Sequence, residues 1–248
     1  MRAKRLLLLD MPMPKTENNG WLALVSTPIG NLEDISQRAL RTLKEADLIA
    51  AEDTRRTGKL CSHFDIHTSM TSYHKHNEHK KTSRILDRVE AGQNVAVVTD
   101  AGTPAISDPG FLIVREGLKR GVEPVVVPGP SALTYAITAA GFPVDKFTFY
   151  GYPPRKSGRR KRLLSQMEGT DMTYFLFVSI HRVDRVLEDI GEALGPRTRI
   201  AIIREATKVH EERIRGTVEE ILDQHGGRKW KGEIILAIDI KNSPLPAD

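Results

Sequence analysis

The residues best suited to chemistry lie in four loops rich in glycine and proline: "TPIGN" from Thr27, "EDTRRTGK" from Glu52, "TDAGTP" from Thr99 and "PGPSA" from Pro128. Gly30, Gly102 and Gly129 have no Cβ, so backbone there can approach a ligand closely or take positive φ. Pro28, Pro104 and Pro130 fix φ and stiffen the same loops. Backbone N–H and C=O groups held this way can recognise an adenine edge and an amino-acid group with few side chains. One such loop would be a tight turn; four in succession favour a binding crevice. A second cluster, "YHKHNEH" (73–79), brings His74, His76 and His79 close in sequence. No thiolate or paired carboxylate completes a ligand set, so no metal is expected and the histidines are read as lining a polar loop or substrate cleft. A third cluster, "RKSGRRKR" (155–162), has six basic residues in eight and no acid. It reads either as a solvated loop and first helical turn or as a patch that follows phosphates by releasing counterions.

These loops need a scaffold that sets them side by side. Apolar runs at 21–27, 47–53, 94–100 and 123–129 read as strands, each running into one of the loops. Between them, 34–46 places Ile35, Ala39, Leu40, Leu43 and Ala46 on one helical face. Further helices are expected at 54–63, at 82–92, from Pro109 to Gly121 and at 131–140. Asp108 is expected as the N-cap of the third of these, with Pro109 at its first position. Uniformly apolar strands suit a parallel sheet covered on both faces, where ligands bind beyond the strands' C-terminal ends. Strands at 173–179, 199–205 and 233–239 and helices at 182–194 and 217–226 build a second α/β unit. Thr217 and Glu220 form a capping box, and "KVHEERIRG" is expected as an extra antiparallel strand. The expected division is a mobile tail (1–19), an N-terminal α/β domain (20–141), a linker (142–155) and a C-terminal α/β domain (156–248).

Composition narrows the class. The chain has 248 residues, a net charge of +5 and a single cysteine, so no intrachain disulfide or cysteine zinc cluster can form. The basic balance is compatible with a polyanion without establishing one. The first strand carries no GxGxxG, and the chain has no P-loop and no HExxH. The leucines after Arg5 are too few for a signal peptide or membrane span, and a cytoplasmic protein with no membrane partner is expected.

The blocks "STPIGNLEDIS", "AAEDTRRTGKL", "YHKHNE", "TDAGTPAISDPG", "VPGPSALTYAITAAG" and "GYPPRKSGRRKR" resemble the tetrapyrrole methylase superfamily, and within it the branch acting on small-subunit ribosomal RNA. The resemblance spans 21 to about 240. It implies two α/β domains, a mainly parallel N-terminal sheet and a mixed C-terminal one, S-adenosylmethionine as cofactor, and a homodimer. It implies 2′-O-methylation of a cytidine ribose in the decoding region of 16S ribosomal RNA, in the free RNA or the 30S subunit. Cofactor contacts would fall at Pro28, Gly102, Thr103, Pro104, Ser131 and Ala132, and from the second domain at Phe177, Val178, Ser179, Ala206 and Thr207. The 2′-hydroxyl is a weak nucleophile, so a base should assist; Asp100 is favoured, with His74, Glu78, Glu52 and Asp53 as candidates. Asp100 reads equally as a loop carboxylate accepting backbone N–H bonds, and Glu52 and Asp53 with Arg55 and Arg56 as an ion-paired network. Lys156, Arg159, Arg160, Lys161, Arg162 and Arg182 are the RNA-backbone candidates. Two departures stand out: "VSIHR" (178–182) replaces the branch's usual "ESPHR", and the helical extension common after the last strand is not in this sequence. A methylase of a tetrapyrrole precursor, or a catalytically impaired member that binds cofactor or RNA, are the alternatives.

Overall fold

The computed structural model describes residues 20–241, so the expected N-terminal tail lies outside the described residues. Two compact units share the described residues: 20–28 with 32–130, and 29–31 with 131–241.

The first unit alternates strand and helix: β1 (Leu22–Val25), α1 (Gln37–Glu45), β2 (Leu48–Ala51), α2 (Thr54–His63), β3 (Met70–Ser72), α3 (Glu78–Glu90), β4 (Val95–Val98), α4 (Phe111–Lys119) and β5 (Val125–Val127). The strands form one sheet in the order β3-β2-β4-β1-β5, every pair parallel. The central strands β1, β2 and β4 are buried on both faces, which is why they lack polar alternation. Ala39 and Leu43 of α1 and Cys61 of α2 pack with Ala23, Val25, Ile49 and Val98 on one face. Ile85, Leu86 and Val89 of α3 and Ile113 of α4 pack with Leu22, Ala50 and Val97 on the other. The chain leaves β1 toward β2 and leaves β4 toward β5, in opposite directions along the sheet. That reversal between the neighbours β1 and β4 is a topological switch point, where a crevice opens beyond the strand ends.

The second unit contains α5 (Ala132–Ala140), β6 (Phe147–Gly151), α6 (Ser157–Ser165), β7 (Thr173–Val178), α7 (Val183–Leu194), β8 (Arg199–Arg204), β9 (Glu212–Thr217), α8 (Val218–His225) and β10 (Ile234–Asp239). Its sheet is mixed, in the order β6-β7-β10-β8-β9, with β6–β7 parallel and the other pairs antiparallel. Ala136 and Ala140 of α5 pack with Phe175, Ala201 and Ala237 on one face. Leu164 of α6, Val186 and Ile190 of α7 and Ile221 of α8 pack with Leu176, Ile202 and Leu236 on the other. Thr217 and Glu220 form the expected capping box of α8, and the "EERIRG" segment is the expected antiparallel strand.

Three expectations change. The boundary falls at Pro130–Ser131 rather than 141–142, because the small residues of α5 pack on the second sheet. The stretch 142–155 is not a linker: it carries β6, an edge strand paired with β7. Helix α4 starts at Phe111 with Gly110 at its N-cap, so Asp108 and Pro109 do not open it. Gly110 has φ +138°, and a Cβ there would lie 2.9 Å from the Ala105 nitrogen. That close approach closes the loop, in which the Ala105 N–H donates to the Pro109 carbonyl at 3.0 Å.

Candidate active site

In the first unit the loops after β1 and β4 are bridged at the switch point. The Thr27 N–H donates to the Gly102 carbonyl and the Gly102 N–H to the Thr27 carbonyl, both at 2.9 Å. Gly102 takes φ +83°, which only glycine adopts without strain. The Thr103 hydroxyl lies 3.0 Å from the Ser26 hydroxyl and 3.3 Å from the Pro130 carbonyl it donates to. Thr103 thus ties together the loops after β1, β4 and β5. Ala105 and Ser107 also have positive φ, a strained path for residues bearing a Cβ. The backbone therefore holds a fixed, irregular form here, suited to recognition by N–H and C=O groups.

Asp100 sits in this frame as a half-buried carboxylate. Its Oδ1 accepts from the Asp53 N–H at 3.0 Å, and Arg56 pairs with its Oδ2 at 3.4 Å. Glu52 accepts from the Thr99 hydroxyl at 2.6 Å and from the Asp100 N–H at 3.3 Å. Burial raises the Asp100 pKa above the ordinary aspartate value, and the Glu52 charge adds to the effect. Asp108 is raised for the same two reasons, burial first and Glu52 second. Asp53 behaves differently: as N-cap of α2 it accepts from the Arg55 N–H and side chain, and the Arg55 side-chain hydrogen bond holds it well below the carboxylate range. So part of the "EDTRR" stretch is the ion-paired network its residue types implied. Pro28 and Asp100 line one cavity of about 200 Å³ with Thr27, Arg56 and Thr99.

The His74–Glu78 turn reaches this loop through Lys75, whose ammonium donates to the Ser107 carbonyl. His74 is held by Asn77, whose amide lies 3.0 Å from its Nε2, while its buried Nδ1 has no partner. Glu78 opens α3, four residues ahead of its expected start. Among the described residues no group of three or more His, Cys, Asp or Glu side chains is gathered to hold a metal ion, and no helix is long and apolar enough to cross a membrane.

In the second unit, Ser131 is the N-cap of α5 and Ala132 its first residue, and the Ser131 side chain makes no cap bond. The first-turn N–H groups of α5 are thus left for another acceptor, a disposition that suits a carboxylate. Ala206 and Thr207 lie in the turn after β8, where Glu205 and Thr207 both take positive φ. Glu211 holds the Thr207 N–H at 2.7 Å, and the Thr207 hydroxyl accepts from the Asn31 N–H at 3.2 Å. Gly30 is required at this contact, since a Cβ would lie 2.4 Å from Lys208 Cγ. Phe177 faces the α5 side of the sheet, edge-on to Phe149 at 5.0 Å, whereas Val178 is buried among the side chains on the α6–α7 side. Phe177, Val178, Ser179 and Arg182 meet at the end of β7, lining a cavity of about 360 Å³.

The basic cluster divides. Lys156 and Arg159 are exposed at the start of α6, and Arg162 is exposed further along it. Lys161 pairs with Glu192 at 2.7 Å. Arg160 is corrected: it is 2% exposed and does not belong to an RNA-facing surface. Its guanidinium pairs with buried Asp189 and donates to the Pro154 and Arg155 carbonyls, anchoring the turn before α6. The sequence carried a signal for this: Asp189 falls three residues after buried Val186 and one before buried Ile190, on the inward face of α7.

A parallel sheet whose bridged, glycine-turned loops meet at its switch point, with a mixed second sheet, defines an α/β protein of the methylase type. A family model for tetrapyrrole (corrin/porphyrin) methylases matches residues 22–222, and the chain belongs to that family. Curated relatives named ribosomal RNA small subunit methyltransferase I include one from Halalkalibacterium halodurans, 44% identical over 90% of this chain and 77% of its own. Another, from Thermotoga maritima, is 45% identical over 90% of this chain and 99% of its own. Among solved structures, the uroporphyrin-III C-methyltransferase of Thermus thermophilus complexed with S-adenosylhomocysteine superposes with a TM-score of 0.61. It is 19% identical, over 88% of this chain and 97% of that one, a likeness of fold.

Proposed function

We propose that this chain transfers a methyl group from S-adenosylmethionine to the ribose 2′-hydroxyl of a cytidine in the decoding region of small-subunit ribosomal RNA, acting as a homodimer. The observation that carries the substrate class is the 44% and 45% identity, over most of the chain, to relatives named for that RNA. Support for the cofactor comes from the family, from the S-adenosylhomocysteine bound by a protein of the same fold, and from the loops themselves. Pro28, Gly102, Thr103 and Pro104 offer a fixed backbone edge that fits a nucleoside, and the uncapped first turn at Ser131 and Ala132 fits an amino-acid carboxylate. Phe177, Val178, Ser179, Ala206 and Thr207 are assigned to the same ligand.

Bound there, S-adenosylmethionine supplies a methyl group on a positively charged sulfur that is already a good leaving group. The work left to the chain is alignment and exclusion of water. Asp100 is assigned as the base: its Oδ1 and Oδ2 are fixed by Asp53 and Arg56, and burial beside Glu52 makes it more basic than an ordinary aspartate. The carboxylate takes the 2′-hydroxyl proton as the oxygen–carbon bond forms. His74 and Glu78 remain the second choice, on the turn that Lys75 ties to the same loop.

The test uses small ribosomal subunits lacking their own 2′-O-methylation, with radiolabelled S-adenosylmethionine. Label mapped to one decoding-region ribose is expected. Label on uroporphyrinogen and none on RNA would replace this reading with methylation of a tetrapyrrole precursor, which the neighbour's fold makes the second candidate.

A further inference from the structure

We infer that Tyr135 of α5 is a positioning residue for the cofactor: through the carboxylate of Glu211 it fixes the Ala206–Thr207 turn relative to the first turn of α5. The inference rests on the reading of Ser131, Ala132, Ala206 and Thr207 as cofactor contacts. It gives roles to Tyr135, Glu211 and Arg213, which have none in that reading.

The turn between β8 and β9 needs an outside hold. Glu205 and Thr207 take φ +51° and +64°, a left-handed path that residues bearing a Cβ keep only where their surroundings impose it. Glu205 is held from the start of β10: its N–H donates to the Glu233 carbonyl and its carboxylate accepts from the Glu233 N–H, both at 2.9 Å. Lys208 donates to the same carboxylate at 2.7 Å. Thr207 is held by Glu211, whose Oε2 accepts from the Thr207 N–H at 2.7 Å.

The other oxygen of Glu211 reaches α5. Its Oε1 accepts from the Tyr135 hydroxyl at 2.5 Å and from the Arg213 guanidinium at 2.6 Å. Arg213 also donates to the Tyr135 oxygen and lies over its ring, 5.3 Å from the centroid. The Tyr135 hydrogen bond is the main reason that Glu211 titrates below the ordinary glutamate value, while burial raises the Tyr135 pKa. At neutral pH the phenol therefore donates and the carboxylate accepts. One carboxylate thus spans turn and helix. Tyr135 stands one helical turn beyond Ser131, its N–H donating to the Ser131 carbonyl at 3.0 Å.

Alternation along β9 explains the arrangement. Arg213 and Arg215 face α5, and Arg215 donates to the Ala139 and Ala140 carbonyls at the helix's far end. Ile214, between them, packs into the core on the opposite face of the sheet. Arg215 and the packing of Ala136 and Ala140 already brace α5 on the sheet. The link at Tyr135 adds orientation at the end of α5 whose first turn is uncapped by Ser131.

The experiment measures, on the whole chain, S-adenosylhomocysteine binding by calorimetry, unfolding by denaturant and steady-state methylation of small subunits. Tyr135→Phe keeps the ring over Arg213 and removes only the hydroxyl, so the protein should remain folded. Its affinity for S-adenosylhomocysteine should fall about two- to tenfold, the worth of one hydrogen bond. KM for S-adenosylmethionine should rise by the same factor, with kcat and the KM for small subunits unchanged. Glu211→Ala releases both Thr207 and Tyr135 and should cost about ten- to a hundredfold in the same affinity. Glu211→Gln keeps an acceptor for the Thr207 N–H and should recover most of that loss. If Tyr135→Phe binds S-adenosylhomocysteine as tightly as the wild type, or loses kcat at saturating cofactor with KM unchanged, the positioning role is overturned and the cofactor reading stands. If the wild type does not bind S-adenosylhomocysteine, the cofactor reading falls and the role with it. If the wild type binds it but labels no small subunits, the substrate reading alone falls, and weaker binding by Tyr135→Phe still upholds the role.

Discussion

At the scale of single residues, two carboxylates show how surroundings set the chemistry of the same side chain. Asp100 is half-buried beside Glu52 and made more basic, whereas Asp189 is buried against Arg160 and anchors the turn before α6. Asp100→Asn keeps the shape and removes the proton acceptor. It should lower kcat by about 10²–10⁴-fold, the usual worth of a general base, with cofactor affinity measured by calorimetry unchanged. With Asp100 as the base, the acid limb of the wild-type pH–rate profile should lie above the ordinary aspartate value, because the base must be ionised and its pKa is raised. Arg160→Leu should instead act on stability. Removing one partner of a buried pair leaves the other charge uncompensated, at a cost of about 3–5 kcal/mol. Denaturant unfolding should show that loss, and the double variant Arg160→Leu with Asp189→Leu should recover much of it. Equal stability of Arg160→Leu and wild type would mean that Asp189 finds another partner or a proton.

At the scale of elements, β9 is an edge strand held at its first residue by a fork of arginines. Glu212 accepts from Arg228 at 2.6 and 2.9 Å and from Arg204 of the neighbouring β8 at 2.8 Å. The Arg228 hydrogen bonds, reinforced by those of Arg204, lower the Glu212 pKa to about 2 from an ordinary 4.5. A carboxylate depressed in the folded state contributes stability that is fully present above its unfolded pKa and is lost as pH falls through the folded one. The contribution of Glu212 should therefore fade between about pH 4.5 and 2, and Glu212→Gln should flatten the pH dependence of unfolding in that window. The elements also show what periodicity could reveal. Buried strands such as β1, β4 and β10 are legible because burial on both faces makes them continuous apolar runs. β3 is three half-exposed residues, Met70–Ser72, and β6 carries exposed Phe147 and Tyr150 along an edge, so neither has a buried-strand pattern. Asp-Pro is a good helix opening in isolation, but α4 starts two residues after Pro109, at Phe111. The closure of the loop by Ala105 against Gly110 is a tertiary contact that spacing does not encode.

At the scale of the whole molecule, the family was more legible than the placement of individual charges. The loop motifs led to the family because each sits at a strand end that the fold brings to one switch point. The basic cluster was legible as charge, but which of its members face solvent depends on the register of α6 against α7 and on one aspartate on the facing helix. The consequence is a sharper test of RNA binding by the net +5 chain. Reversing Arg159 together with Arg160 would confound lost binding with lost stability, since Arg160 is buried in its pair. Arg159 and Arg162 are both exposed on α6, so Arg159→Glu with Arg162→Glu should leave the unfolding transition in place. If both track phosphates, RNA affinity should fall, and the slope of log affinity against log salt should lose about 0.7–0.9 per contact removed. Cofactor affinity should be unaffected, because no residue of the loops at the switch point is altered. An unchanged salt slope would take α6 out of the RNA path.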